Sequence, residues 1–129
     1  MNRRKYFLPV LFLVLMTLFA CNEAQTKDNF NLTAEEFITA MKSDPNLIIL
    51  DVRTPPELVG QHGQIEGVIN IPVQVLEARI NELDEYKDKD IAVICRSGNR
   101  SVNGTKILLQ NGFKAKNVGG GMKAYNKLK

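Results

Sequence analysis

Within seven residues, the stretch CRSGNRS at 95–101 carries one thiol, two guanidinium groups, two hydroxyls and a carboxamide. Four apolar residues, Ile91 to Ile94, precede it and read as a buried strand. A cysteine at the carboxyl end of such a strand stands where parallel α/β sheets place their sites. Gly98 admits backbone angles closed to other residues. A loop curling around Cys95 would aim successive N–H groups inward as an anion nest. A helix starting near Arg100 would add the positive end of its dipole, and Arg96 and Arg100 add full charges. Each of these favours thiolate over thiol, so the residue types point to a cysteine nucleophile of lowered pKa. A purely structural cysteine wants apolar neighbours, whereas five of the six residues after Cys95 are polar or charged.

The elements that must hold this loop are legible from pattern. Leu32 to Phe37 opens a helix, with Thr33 and Glu36 at capping-box spacing and Phe37, Ile38 and Met41 as its apolar face. Asp44-Pro45-Asn46 breaks it. Leu47 to Leu50 is a continuous apolar run, suited to a strand covered on both faces, and Asp51-Val52-Arg53 follows. Thr54 to Glu57 reads as a turn and a short helix start, and Gly60 to Gly67 as a loop. Val68 to Ile71 is a second short strand closed by Pro72. Val75 to Leu83 has helical spacing. Ile91 to Ile94 is the third strand, and Ser101 to Asn111 a helix with Gly112 past its end. Ala115 to Val118 is a last strand, Gly119 to Gly121 a turn, and Met122 to Lys129 a final short helix. Strands alternating with helices predict an α/β domain with a mainly parallel central sheet flanked by helices.

This domain is expected over residues 32–129. Ahead of it, a basic run at Asn2–Lys5 leads into the apolar stretch Tyr6–Ala20, and polar residues follow Cys21. That pattern is a secretory signal over residues 1–20. It is shorter than the ~20 apolar residues of a spanning helix. Leu18-Phe19-Ala20-Cys21 resembles a bacterial lipobox, whose cysteine is lipidated and becomes the mature N-terminus. The resemblance implies a lipid anchor at Cys21, a polar tether over residues 21–31, and a chain held at the outer side of a bacterial membrane. Removing Arg3, Arg4 and Lys5 with the signal leaves 14 basic residues against 14 acidic ones. The mature domain is near neutral and lacks the basic, aromatic-interleaved patches of nucleic-acid binders. With Cys21 lipidated, Cys95 is the sole remaining thiol, so no internal disulfide is available. One cysteine and one histidine make no metal-ligand set, and no cofactor is called for.

CRSGNRS resembles the active-site loop of single-domain rhodaneses, the sulfurtransferase family. LIILDVRTPPEL resembles that family's DVR opening, GQIEGVINIP its central segment, and NVGGGMKAYN its closing one. These motifs occur in order along the whole mature domain. The resemblance implies a monomeric rhodanese-like fold and a sulfurtransferase. Cys95 would take the outer sulfur of thiosulfate or a similar anionic donor and pass it, as a persulfide, to a thiol or cyanide acceptor.

In that frame Arg96 stands at the loop rim, for donor recognition or simply solvated. Ser97 and Asn99 are rim residues that would bond an oxyanion or shape the loop, and Gly98 and Ser101 complete it. Arg100 braces the loop, with Asp51 as the expected partner, and Asp51 and Arg53 form a supporting shell. Two positions depart from the family pattern. Gln64 stands where histidine is frequent, leaving His62 as a surface loop residue, and Tyr125 stands where tryptophan is usual. Two other readings remain open: a catalytically silent rhodanese-like module that binds or senses a partner, and a cysteine-dependent phosphatase or arsenate reductase relative. The four residues between Cys95 and Arg100 make a shorter loop than those relatives use, and Ile94 stands where cysteine phosphatases carry a histidine.

Overall fold

The computed structural model describes residues 29–129. The expected signal over residues 1–20, the lipidation site Cys21 and most of the tether lie outside the described residues. The elements in chain order are β1 (Asn31–Leu32), α1 (Ala34–Ser43), β2 (Ile48–Asp51), α2 (Pro55–Leu58), β3 (Ile69–Asn70) and α3 (Val73–Leu76). A 3-10 helix (Ile80–Tyr86), β4 (Asp90–Ile94), α4 (Asn99–Gln110), β5 (Lys114–Val118) and α5 (Gly121–Lys127) complete the chain.

The five strands form one sheet in the order β1-β5-β4-β2-β3, and every pairing is parallel. The apolar runs of β2 and β4 sit at its centre, in register from Ile48 beside Ile91 to Asp51 beside Ile94. Such runs suit central strands because both of their faces are covered. On one face, Leu50, Ile91 and Val93 meet Leu76, Leu83 and Leu108. On the other, Ala92, Ile94 and Val118 meet Phe37, Met122 and Tyr125. Tyr125 takes up the aromatic position expected at the chain's end, packing edge-on against Phe37 with ring centroids 5.9 Å apart.

Local chemistry sets where the elements begin. Thr33 N–H donates to Glu36 Oε2 at 3.0 Å and Glu36 N–H to Thr33 Oγ1 at 3.1 Å, so the capping box starts α1 as its spacing predicts. The expected helix from Val75 to Leu83 is instead split into α3 and the 3-10 helix. Arg79 N–H is shared between Val75 O and Leu76 O, each at 3.1 Å, and the turn tightens there to i→i+3 bonding. Leu76 and Leu83 nonetheless reach the same core cluster, so the apolar spacing holds although the helix type changes. The sheet also begins inside the expected tether: Asn31 pairs with Asn117 and Leu32 with Val118. A two-residue strand is too short to show any period in sequence.

Candidate active site

Cys95 is the first residue beyond β4, and its side chain is 1 % exposed. Gly98 N–H donates to Cys95 Sγ at 3.1 Å, and Ser101 Oγ lies 3.2 Å from the same sulfur. Burial pushes the thiol pKa up. The Ser101 hydroxyl and the backbone N–H groups of Ser101, Gly98 and Ser97 push it down, and the net result lies below the ordinary cysteine value. The nest expected around the sulfur is therefore present, built by a chain turn that needs φ = +99° at Gly98, the residue capping α4. A Cβ at Gly98 would meet Gly120 N at 3.0 Å, so glycine is required there by space as well as by backbone angle.

The floor of the loop is fixed by the glycine run. Met122 N–H donates to Cys95 O at 2.8 Å and Lys123 N–H to Arg96 O at 3.0 Å, so the start of α5 is bonded to the loop's own carbonyls. This approach leaves no room at Gly121, where a Cβ would collide with Cys95 O and lie 2.7 Å from Arg96 C. Below the sulfur, Thr105 Oγ1 donates to Ser101 O at 2.7 Å, and Ser101 and Thr105 are both fully buried.

The remaining residues divide into two charge pairs, and one of them is not the expected one. Arg100 does not reach for Asp51. It grips Glu57 with two bonds, Nη1 to Oε2 at 2.8 Å and Nη2 to Oε1 at 2.7 Å. Asp51 is already occupied. Arg53 Nη2 lies 2.7 Å from Asp51 Oδ2, Arg53 Nε 3.0 Å from both carboxylate oxygens, and the pair is essentially unexposed. Arg53 also donates to Glu57 O at 3.2 Å and Gly63 O at 2.8 Å, which spends its fork on the surrounding loops. Asn70 Nδ2 completes this support by donating to the carbonyls of Asp51 and Arg53 at 2.9 and 2.8 Å. Asp51 and Arg53 thus stand behind the site, as the sequence predicts, but they brace each other.

Glu57, which the sequence reading passed over, links the second loop to the first. Thr54 N–H and Thr54 Oγ1 both donate to Glu57 Oε2, at 3.0 and 2.8 Å. The Arg100 guanidinium and these Thr54 donors hold its carboxyl well below the usual range, at about 2. The capping-box spacing from Thr54 to Glu57 was the signal that could have found it. Ser97 and Asn99 are exposed on the rim. Arg96 is exposed too, and it lines a cleft of about 300 Å³ with Pro56, Gly60, Gln61 and His62. His62, a loop residue as expected, lines this same cleft.

The arrangement supplies a buried sulfur whose pKa is lowered by uncharged donors, with an exposed cation at the rim. Comparison with known proteins shows which family the chain resembles. A Bacillus subtilis (strain 168) protein provisionally named a sulfurtransferase, YtwF, is 39 % identical over 85 residues, 66 % of this chain and 79 % of that one. The thiosulfate sulfurtransferase PspE of Escherichia coli (strain K12) is 31 % identical over 74 residues, 57 % of this chain and 69 % of that one. The crystal structure of a rhodanese-related protein from Thermoplasma volcanium superposes with a TM-score of 0.68 at 33 % identity, covering 77 % of this chain and 92 % of that one. Residues 33–128 match the rhodanese-like domain, and the chain belongs to that family, whose members similar to it include sulfurtransferases.

Proposed function

We propose that this protein is a sulfurtransferase that carries sulfane sulfur as a persulfide on Cys95, with thiosulfate or a similar anion as donor. The observation that carries the reading is the pair of donors on Cys95 Sγ, Gly98 N–H at 3.1 Å and Ser101 Oγ at 3.2 Å, in a site where the thiol pKa is lowered. The thiolate attacks the outer sulfur of thiosulfate. A new S–S bond forms to Sγ, the donor's S–S bond breaks, and sulfite leaves with the bonding pair. The persulfide anion is then attacked at its outer sulfur by a thiol or cyanide, and Cys95 is released as thiolate. No proton changes hands on the enzyme when Cys95 begins ionised. Main-chain N–H groups fixed in place stabilise the anion at each stage without reorganising. A second sulfur also carries the reacting atom about 2 Å further from the buried Sγ.

In this reading Arg96, exposed beside the cleft, meets the anionic donor. Ser97 and Asn99 stand at the rim within reach of its oxygens. Arg100 acts through Glu57 as a positioning residue, because both of its bonded nitrogens are spent on that carboxylate. Mass spectrometry of the domain after thiosulfate treatment tests the proposal. A gain of one sulfur at Cys95, removed by cyanide and missing in Cys95→Ser, is the expected result. Thiocyanate production that survives Cys95→Ser refutes the relay.

The location is proposed on sequence alone. The basic run, the apolar stretch Tyr6–Ala20 and Cys21 favour a lipid-anchored protein facing away from the cytoplasm. Acyl labelling of the full chain that disappears in Cys21→Ser is the expected outcome, and labelling that persists refutes it.

A further inference from the structure

We infer that Thr105 is a positioning residue for Cys95: its hydroxyl, bonded to the Ser101 carbonyl, holds the first turn of α4 so that Ser101 stays against the sulfur. The inference deepens the persulfide reading above, on which it rests for its purpose. It names a residue that makes no hydrogen bond to the sulfur itself.

Two of the groups that act on Cys95 belong to Ser101. Burial raises the thiol pKa; the Ser101 hydroxyl is the largest influence that lowers it, and the Ser101 N–H adds to the effect. Ser101 Oγ lies 3.2 Å from Cys95 Sγ, and a small rotation of the residue weakens such a contact. The helix that carries Ser101 is weakly secured at this end. Its N-cap is Gly98, which offers no side-chain bond to the free N–H groups of the first turn. Gly104, inside the same helix, is a poor helix former. A Cβ there would lie 3.2 Å from both Val52 Cγ1 and Val93 Cγ1, so α4 sits close on the sheet at that turn.

Side chains fix the turn instead. On the half-exposed side, Arg100 grips Glu57. On the buried side, Thr105 Oγ1 donates to Ser101 O at 2.7 Å, a usual length for a hydroxyl donor. Thr105 and Ser101 are both fully buried, so no solvent competes for this bond. A bond of the same kind elsewhere in the chain supplies the contrast. Thr39 Oγ1 donates to Glu35 O at 2.9 Å on the exposed side of α1. Such bonds satisfy the hydroxyl and bend a helix slightly. At Thr39 the bend serves no reacting group. At Thr105 it sets the residue whose hydroxyl and N–H both bear on Sγ.

The test follows the pH profile of Cys95 alkylation by iodoacetamide, a readout that needs no sulfur donor. In T105V the midpoint is expected about half a pH unit above that of the wild type, as partial loss of one hydrogen bond to a charged group allows. T105S keeps the hydroxyl and is expected to restore the wild-type midpoint, and T39V to leave it in place. S101A is expected to move the profile at least as far as T105V does. Adding T105V to S101A is expected to shift it by less than half as much as in the wild type, because the two residues act as one chain. Should the valine crowd the core, T105A reads the same loss. A T105V or T105A profile that coincides with the wild type overturns the inference, as does a T105S profile that stays with T105V. An equal shift with and without the Ser101 hydroxyl overturns it too, since Thr105 would then act by another route. Mass spectrometry after thiosulfate treatment is run in parallel. A wild type that takes up no sulfur overturns the relay, while the alkylation profiles still decide the role of Thr105.

Discussion

Gly121→Ala is the sharpest perturbation of this site that leaves every reacting group in place. The native backbone at Gly121 has φ = +55°, and a Cβ there would overlap Cys95 O and lie 2.8 Å from Arg96 O. Three costs follow. Placing a side chain in the left-handed region costs about 1 kcal/mol. Forcing a methyl group into filled space costs about 1–3 kcal/mol. Relief of the overlap moves α5 from the loop and weakens Met122 N–H to Cys95 O and Lys123 N–H to Arg96 O, about 1 kcal/mol each. Strain and bond loss are alternatives in part, so about 3–4 kcal/mol is expected. Gly63→Ala isolates the backbone term, since Gly63 has φ = +58° with nothing within 4 Å of a Cβ; it is expected to cost about 1 kcal/mol. Urea unfolding at constant m reads both variants, and alkylation of Cys95 by iodoacetamide at neutral pH reads the loop. Gly121→Ala is expected to lose stability by about 2 kcal/mol more than Gly63→Ala and to slow alkylation. Equal stability of the two variants, with Cys95 equally reactive, refutes the claim that α5 shapes the loop through this contact.

Ser101→Ala removes the hydroxyl 3.2 Å from Cys95 Sγ; the thiol pKa is expected to rise, moving the pH profile of alkylation to higher pH, and an unmoved profile counts against that hydroxyl. Asp51→Asn leaves the Arg53 guanidinium buried without its counter-charge, and a loss of about 3–5 kcal/mol in urea is expected; a loss under about 1 kcal/mol would show that the carbonyls of Glu57 and Gly63 suffice. Glu57→Gln tests the loop bridge through pH. The Glu57 carboxyl is lowered from 4.5 to about 2, which sets a linkage ceiling of roughly 3 kcal/mol. The partners are 29 % and 32 % exposed, and screening reduces the expected contribution to about 1 kcal/mol at neutral pH. Because the folded-state pKa is depressed, this stabilisation is present above pH 4.5 and fades as pH falls toward about 2. Urea titrations should show the gap between wild type and Glu57→Gln closing over that window, and a gap independent of pH refutes the pairing.

The sheet, its parallel sense and the place of Cys95 were readable because long-range order here follows local signals. The apolar runs at β2 and β4 can only be central strands, and the polar loop after Ile94 falls at a strand's carboxyl end. Thr33 and Glu36 announced α1, and Gly98 announced the nest. Partner choice was less legible. Arg100 had two carboxylates within its plausible reach, and sequence distance says nothing about which one is free. Arg53 lies two residues from Asp51 and closes on it within its own loop, so that carboxylate is engaged by Arg53 and not by Arg100. The tight contact at Gly121 was equally hidden. A run of three glycines reads as a turn, and only the fold shows that the third one touches the carbonyl of Cys95.

The pairing of Arg100 with Glu57 alters which groups lower the Cys95 pKa. Had Arg100 been free, its guanidinium could hold the thiolate by charge alone, and the loop's shape would matter little. With that guanidinium bonded to Glu57 at 2.7–2.8 Å, the groups that bond the sulfur directly are dipoles: Gly98 N–H and the Ser101 hydroxyl. Dipoles act at short range and lose their effect with small rotations, whereas a full charge tolerates displacement. The reactivity proposed for Cys95 therefore depends on holding the backbone from 95 to 101 in one conformation. That requirement gives a single purpose to contacts far apart in sequence: the Glu57 bridge braces the loop from one side, and Met122 and Lys123 brace its carbonyls from the other. It also separates two kinds of defect. Loss of a brace should lower Cys95 reactivity along with stability, whereas loss of the Ser101 hydroxyl should lower reactivity alone.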